Sequence, residues 1–300
     1  MHLYNKKVIS LRVVYFQQHR ENEDLFESFF RYLFASDRLK SFRSYSGDVK
    51  RFAEWFQGNL LSASPLDIAE YRRYLQEKGK KPSTVNRALV SLRVFYGFLV
   101  KQGLIKDNPA EDIKPVSATE IAPKWLSRQE QAALMRAVRE ANNPRDETII
   151  ALMLHAGLRV SEVVCLDRND IVIGERSGAV TVRQGKGNKY REVPINKTAR
   201  KILSRWLKEN PEGPLFPNRY GGQITARAIR QMVAEYAYRA KIKASPHTLR
   251  HTFCKNLIDA GVPIDQVAVM AGHSKLDVTK RYTAPSMQDL QSAVERTNWE

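Results

Sequence analysis

The first third of the chain places apolar residues with the period of an α-helix. They recur at intervals of three and four in three stretches separated by helix breakers, which predicts amphipathic helices rather than strands. The stretches are Leu25, Phe29, Phe30 and Leu33; Val49, Phe52 and Phe56; and Val85, Leu89, Leu92, Phe95, Tyr96 and Leu99. Ser83 is placed to cap the last of these helices. Residues 21–110 are therefore predicted to form a small all-helical domain, preceded by an extension over residues 1–20 of unknown role.

A change of pattern after this region predicts a linker and a second domain. The segment 111–124 contains Pro115 and few large apolar residues, as linkers do. Ser127 and Glu130 then have the spacing of a capping box, which starts a helix. The boundary is expected near residue 118, with the second domain over residues 125–285.

The second domain is predicted to be mostly helical with a small antiparallel β-sheet. Residues 146–165 indicate a buried helix, a turn at Gly157 and a second helix. Two β-prone runs, 179–183 and 191–195, flank the segment 185–189 and predict a hairpin. Further helices are predicted over 198–209, 225–240, 248–260 and 263–271, and an apolar stripe in residues 286–300 predicts a short tail helix.

Charge narrows the choice of partner. The 300 residues carry a formal net charge of +17 at pH 7, which favours a polyanionic partner, and nucleic acid first among polyanions.

The two cysteines, Cys165 and Cys254, stand in no C-x-x-C pair, so a disulfide framework and a cysteine zinc site are not expected. Apolar runs are too short to span a bilayer and no secretory signal is evident, so we expect a cytoplasmic, nucleoid-associated protein with no membrane partner.

Several side chains could bind a phosphate. His247 and Arg250 lie three residues apart on a predicted helix that opens after Ser245, near the positive end of its dipole. Taken in isolation, Arg250 would more often be a surface cation and His251 a core histidine. Arg159 follows the Gly157 turn, and Glu162 is spaced to hold its guanidinium in one orientation.

Two further candidates could take part in proton transfer or nucleophilic attack. Lys186 lies at the predicted hairpin tip, with Lys189 as its nearest rival for a proton donor. Tyr282 lies in a polar segment nine residues after His273. A phenol has a pKa of about 10, so it needs nearby cations to become a nucleophile at neutral pH.

Taken in order, these motifs resemble the tyrosine recombinases, in their Xer-type and phage-integrase branch. The matching motifs are G-L-R-V-S-E at 157–162, G-K-G-N-K at 185–189, S-P-H-T-L-R-H-T-F at 245–253, A-G-H at 271–273 and K-R-Y-T at 280–283. Segments 41–52 and 83–96 resemble that family's helical core-binding domain. The resemblance covers essentially the whole chain.

The resemblance implies a role for each candidate. Tyr282 would be the nucleophile that forms a 3′-phosphotyrosine, and Arg159 and Arg250 would clamp the scissile phosphate. Lys186 would protonate the leaving 5′-oxygen. His247 would be the acid/base partner, His273 the second histidine at the phosphate, and Glu162 a supporting residue. It also implies no metal and no ATP, and neither a two-metal carboxylate cluster nor a G-x-x-x-x-G-K loop is visible at these motifs.

The resemblance also implies double-stranded DNA as partner. Recombination would need a homotetramer on two duplexes and a Holliday junction, with an accessory protein or a second recombinase left open as further partners. Contacts with DNA are expected from Thr225, Arg227 and Arg230 on the predicted helix 225–240, and from Arg43, Arg87 and Arg93 in the first domain.

Two alternatives remain open on sequence alone. A type IB topoisomerase would use the same residues on one duplex without partner exchange. A non-catalytic regulator would keep the basic clamp and form no covalent adduct with DNA.

Overall fold

The chain folds into two compact units that divide between residues 120 and 121. The computed structural model describes residues 22–36, 42–117, 123–183, 190–209, 213–273, 279, 282, 291, 294 and 295. The fold is mainly helical with a small antiparallel sheet, which confirms the predicted fold class. Within the described ranges, no helix combines the length and the apolar character needed to cross a membrane.

The N-terminal unit is a helical cluster around an aromatic core. Its helices are α1 (22–35), α2 (Phe42–Phe56), α3 (Pro65–Glu77) and α4 (Pro82–Lys101). Helix α4 packs against α2 and α3, and edge-on ring contacts such as Phe29 with Phe95, at 5.1 Å between centroids, fill the centre. The predicted cap at Ser83 is wrong. Lys81 is the N-cap and Pro82 begins the helix, two residues before the start that a cap at Ser83 would give, because the fixed φ and missing N–H of proline suit a first helical position.

The C-terminal unit follows the predicted order of helices around a hairpin. Its elements are α5 (Arg128–Glu140), α6 (Pro144–His155), α7 (Val160–Val164), β1 (Ile171–Ile173), β2 (Gly178–Val182), β3 (Arg191–Pro194), α8 (Lys197–Glu209), α9 (Ala226–Arg239), α10 (Pro246–Asp259) and α11 (Ile264–Ala271). The capping box of Ser127 and Glu130 begins α5 as predicted. Helix α6 is buried between α8 and α10 and forms the centre of the core.

The sheet has the order β1-β2-β3 with antiparallel neighbours. Val180 pairs with Val193, and Val182 pairs with Arg191, so the predicted hairpin is confirmed. Strand β1, which the sequence pattern did not predict, pairs Ile171 with Val180. The segment joining β2 to β3, with Lys186 and Lys189, lies outside the described residues.

A tight turn at Gly157 joins α6 to α7. The residue has φ +59°, in the left-handed region where side chains are strained, and an added Cβ would lie 2.2 Å from Phe253 Cδ1. The turn therefore brings the backbone of residue 157 against α10. This close approach places the start of α7 beside α10 and creates the site described next.

Candidate active site

Glu162 is the buried centre of a charged network at the start of α7. Its carboxylate accepts hydrogen bonds from the main-chain N–H of Arg159 at 2.8 Å and from Arg159 Nη1 at 2.7 Å. The Glu162 side chain is 1% exposed. The contact predicted from the spacing of these two residues is thus present, and it fixes the direction of the guanidinium.

A second arginine, which sequence reasoning missed, binds the same carboxylate. Arg191 at the start of β3 donates to Glu162 Oε1 at 3.0 Å and to Oε2 at 2.8 Å, and its Nε donates to the carbonyl of Met270 at 3.1 Å. Burial raises the pKa of Glu162, but hydrogen bonds from Arg191 and Arg159 outweigh it and leave the pKa below its ordinary value. The carboxylate is therefore ionised at neutral pH.

Arg250 lies next to Arg159, and both guanidinium groups bind main-chain carbonyls. Arg250 is 4% exposed and donates to the carbonyls of Gly157, at 2.6 Å, and Ala271. Arg159 Nη2 donates to the carbonyl of Gly272 at 2.7 Å. The carbonyls of Ala271 and Gly272 lie at the C-terminal end of α11, where the helix dipole is negative. The end of α11 thus holds two like charges side by side.

The two arginines raise the local positive charge. Burial and then the neighbouring Arg159 lower the pKa of Arg250 to about 10, so the group is still charged at neutral pH. Together with Arg191, three guanidinium groups face the single carboxylate of Glu162 in this network, which leaves an excess of positive charge. Such an arrangement is suited to an oxyanion.

Tyr282 completes the cluster. Its hydroxyl lies 2.6 Å from Nδ1 of His251, and its side chain is 1% exposed. The ring of His273 stacks on the phenol with 6.3 Å between centroids and 12° between planes. Nδ1 of His273 lies 2.8 Å from Oγ1 of Thr279, and the Cys254 thiol has a side-chain hydrogen bond with Tyr282.

The histidines around Tyr282 are neutral at pH 7. Burial, and then the electrostatic influence of His247 and Arg250, lower the pKa of His251 to about 4. Burial, Arg250 and Arg159 lower the pKa of His273 to about 4 as well. His247 lies exposed in the first turn of α10, with its ring centroid 6.5 Å from that of His251.

Most of the candidates from the sequence are brought together here. Arg159, Glu162, Arg250, His273 and Tyr282 form the cluster, His247 is at its edge, and Lys186 falls outside the described residues. The alternative of a surface position for Arg250 was wrong, because this residue is buried. His251 is partly buried and contacts Tyr282. Sequence reasoning missed His251 because its position, one residue past Arg250, fits a core histidine equally well.

The residues expected to contact DNA lie in different settings. Arg43, Arg227 and Arg230 are exposed. Arg87 binds Asp48 through two hydrogen bonds of 3.0 Å, and Thr225 caps α9 by accepting from the N–H of Ala228 at 3.1 Å. Arg93 is engaged differently, because it donates to the carbonyls of Ala110, at 2.9 Å, and Ile113, and thereby ties α4 to the segment that follows it.

Comparisons with known proteins identify the family of the chain. Residues 124–289 match the phage integrase family, and residues 26–103 match the phage integrase N-terminal SAM-like domain. The chain is 32% identical to the tyrosine recombinase XerC of Thermodesulfovibrio yellowstonii over 269 residues, 85% of this chain and 88% of the relative.

Solved structures share the fold. The XerH site-specific recombinase bound to palindromic difH substrate, a post-cleavage complex, matches with a TM-score of 0.73 and 21% identity over 86% of this chain and 80% of that one. A lambda integrase dimer bound to a COC′ core site matches with a TM-score of 0.70 and 15% identity over 87% of this chain and 76% of that one.

The chain therefore belongs to the phage integrase family, the tyrosine recombinases. Within that class it is a Xer-like site-specific recombinase, which cleaves and rejoins DNA through a phosphotyrosine intermediate.

Proposed function

We propose that Tyr282 is the nucleophile of strand cleavage and that Arg159 and Arg250 bind the non-bridging oxygens of the scissile phosphate. His273 contacts the same phosphate, with His247 as an acid/base partner at the edge of the site. Lys186 donates the proton that the leaving 5′-oxygen needs. The product is a 3′-phosphotyrosine, formed without metal or ATP because the ester retains the energy of the broken linkage.

The position of the Tyr282 hydroxyl carries this proposal. It lies beside two histidines, and one of these, His273, directly follows the two carbonyls that hold Arg159 and Arg250. Fixed cations in a site that excludes water stabilise developing negative charge, by about 3 to 4 kcal/mol per donor in comparable sites. Glu162 and Arg191 keep the arginines in place and act as positioning residues.

DNA has to open this site before it reacts. The Tyr282 side chain is 1% exposed, so a phosphate reaches its hydroxyl only after the covering groups move. Exposed Arg43, Arg227 and Arg230, together with Arg87, supply contacts with the duplex. We assign Arg93 a smaller part in binding, because its guanidinium is held by two main-chain carbonyls.

Recombination on this scheme proceeds in a homotetramer on two double-stranded DNA sites, through a Holliday junction, in the cytoplasm. The tail 286–300 couples neighbouring protomers, and an accessory protein or a second recombinase is compatible with the scheme.

A nicked suicide substrate tests the assignment of the nucleophile, because loss of a short fragment traps the covalent adduct. We expect adduct with the native chain and none with Tyr282→Phe at unchanged DNA affinity. Tyr96→Phe is the matched control: this tyrosine is also buried, and its hydroxyl has no hydrogen-bond partner among the described residues. Adduct formed by Tyr282→Phe, and mapped to another residue, would refute the assignment.

A second assay separates recombination from topoisomerase activity. We expect recombinant products from two cognate sites in one plasmid, and cleavage that persists in EDTA. Relaxation of plasmids that lack any site, without recombinants on cognate sites, would favour the type IB reaction instead.

A further inference from the structure

The imidazole in contact with the reacting hydroxyl is that of His251, a residue the scheme above does not use. Its Nδ1 lies 2.6 Å from the Tyr282 hydroxyl, and the two ring centroids are 5.5 Å apart. In the tautomer with its proton on Nε2, Nδ1 accepts the phenolic hydrogen bond. We propose that His251 is the general base that takes the phenol proton of Tyr282 during strand cleavage, an inference that rests on the proposed nucleophile.

The surroundings of His251 keep its ring neutral and able to accept a proton. Among the described residues, the groups that face it are His247 and Arg250 on its own helix, Tyr282, and, across the phenol, His273. Burial, and then the electrostatic influence of His247 and of the Arg250 cation, disfavour a second proton in the free protein, so the pKa of His251 lies near 4. A bound phosphodiester brings negative charge beside the ring, which favours the imidazolium once the proton has moved.

The step balances as a proton shuttle. The Tyr282 oxygen forms a bond to phosphorus, the bond from phosphorus to the 5′-oxygen breaks, and the phenol proton moves to His251 Nδ1. The leaving 5′-oxygen takes its proton from Lys186. In rejoining, an incoming 5′-hydroxyl gives its proton to Lys186 and attacks the phosphotyrosine. The bond from phosphorus to the Tyr282 oxygen breaks, and that oxygen recovers its proton from His251. No oxidant or further reactant is needed.

Neighbouring groups are less suited to this role. Burial raises the pKa of the Cys254 thiol to about 11, so the thiol keeps its proton and is not a base at neutral pH. His247, the acid/base partner in the scheme above, is exposed in the first turn of α10 with its ring 6.5 Å from that of His251. We therefore place its role at the DNA backbone and assign the proton of the phenol to His251. His273 uses its Nδ1 in the contact with Thr279 and presents its ring face to the phenol.

His251→Asn tests the base, because asparagine can place a hydrogen-bonding group near the former Nδ1 but cannot take a proton. With the suicide substrate at saturating concentration, we expect the rate of adduct formation to fall roughly 100-fold, as removal of a general base does. DNA affinity and thermal stability should stay near those of the native chain. The rate of the variant should rise with pH as hydroxide replaces the missing base.

His155→Asn is the matched control. His155 is a partly buried histidine of the same unit whose Nδ1 contacts Asn196 at 3.0 Å, at the end of α6. The same substitution there should leave the rate unchanged. An unchanged rate in His251→Asn, or equal losses in the two variants, would overturn the proposal.

A substrate with a bridging 5′-sulfur separates the base from the acid, since a thiolate leaves without a proton. We expect this substrate to restore the rate of Lys186→Ala and to leave His251→Asn slow. Difluorotyrosine at position 282, a more acidic phenol, should shrink the His251→Asn defect. Rescue of His251→Asn by the sulfur substrate would instead make His251 a leaving-group acid and overturn the proposal. Tyr282→Phe separates a failure of the proposed base from a failure of the proposed nucleophile. If the nucleophile is correctly assigned, this variant forms no adduct on any substrate, whatever the result for His251→Asn.

Discussion

Each of the two units contains a buried carboxylate that binds two arginines, but the arginines differ in their exposure to water. In the N-terminal unit, Asp48 binds Arg51 and Arg87, whose side chains are 56% and 49% exposed. Ser91 donates a further hydrogen bond to Asp48 at 2.8 Å. The carboxylate is buried, but both of its arginine partners reach into water.

In the C-terminal unit, Glu162 binds Arg159 and Arg191, whose side chains are 23% and 10% exposed. Both arginines also bind main-chain carbonyls at the end of α11. Their orientation is therefore set from two sides.

The difference in exposure separates two ways of binding phosphate. Water and salt screen an exposed guanidinium, which can turn to follow a DNA backbone and adds to affinity. A buried guanidinium with fixed partners is already aimed when the charge develops, so it contributes to rate. We therefore expect the Asp48 cluster to serve binding and the Glu162 cluster to serve catalysis.

Glu162→Gln should give the largest effect. An amide cannot replace the carboxylate for two arginines, and two positive charges then lie side by side without compensation. We expect adduct formation to fall by roughly 100-fold or more and the free energy of unfolding to fall by about 3 to 5 kcal/mol, as for other broken buried pairs. Suicide-substrate kinetics and urea denaturation measure the two effects.

Glu77→Gln is the control for that substitution. Glu77 pairs with Arg73 at 3.8 Å on the surface of α3, where both side chains are about 70% exposed, and such pairs are worth less than about 1 kcal/mol. Equal losses from the two substitutions would mean that burial is not what distinguishes the Glu162 cluster.

Gly157→Ala and Gly79→Ala extend the comparison to the backbone. Both glycines have positive φ, +59° and +66°, so alanine costs about 1 to 2 kcal/mol at either site. Only at Gly157 does the new methyl group meet a side chain, that of Phe253, which adds about 1 to 3 kcal/mol of overpacking. Urea denaturation should rank Gly157→Ala as the more destabilising, and Gly157→Ala should also slow cleavage, because the residue 157 carbonyl holds Arg250. The reverse ranking would contradict the close approach of α6 and α10.

Arg87→Gln and Arg191→Gln should separate affinity from rate. The logarithm of DNA affinity falls linearly with the logarithm of salt concentration, and the slope reports the number of phosphate contacts. We expect Arg87→Gln to reduce the magnitude of this slope by about one. Its cleavage rate at saturating DNA should stay unchanged. Arg191→Gln should keep the slope and lose rate. A reduced slope for Arg191→Gln would show that the buried arginine also contacts the DNA backbone.

The sequence predicts the parts of the fold that depend on neighbouring residues. Ser127 with Glu130 marks a helix start, and the β-prone runs around residues 185–189 mark the hairpin, because caps and hairpins are local. Strand β1 has three residues, too few for a periodic pattern, and its pairing with β2 makes it a strand.

The site was predictable where one residue orients a close neighbour, as Glu162 orients Arg159. It was not predictable where the contact is made by folding. Arg191 meets Glu162 across 29 residues and His251 meets Tyr282 across 31. Nothing near Arg191 in sequence marks it beyond its place after the hairpin. The family motifs contain the residues that we propose to react, whereas the residues that position them become visible only in the folded chain.

The last expected difference between the two units is in the pH dependence of their stability. The pKa of His251 and of His273 lies near 4 in the folded chain, below the ordinary 6.5. Between these values the unfolded chain binds protons that the folded chain does not, so stability is fully present above pH 6.5 and is lost as pH falls toward 4. In the N-terminal unit, the described residues 22–36 and 42–117 contain no histidine.

Hydrogen exchange resolved by peptide can follow the two units in one sample. After correction for the intrinsic effect of pH on exchange, we expect peptides from α10 to lose protection from pH 6.5 downward while peptides from α4 keep theirs. The upper part of the interval between pH 6.5 and pH 4 is the informative one, because carboxylates elsewhere in the chain begin to take up protons in its lower part. Equal losses in α4 and α10 would mean that the burial of His251 and His273 does not set the acid sensitivity of the catalytic unit. A loss of protection that is confined to α10 and is smaller in His273→Asn would link the acid sensitivity to the neutral imidazoles around Tyr282. The reason is that asparagine cannot be protonated, so the contribution of residue 273 to the pH dependence disappears.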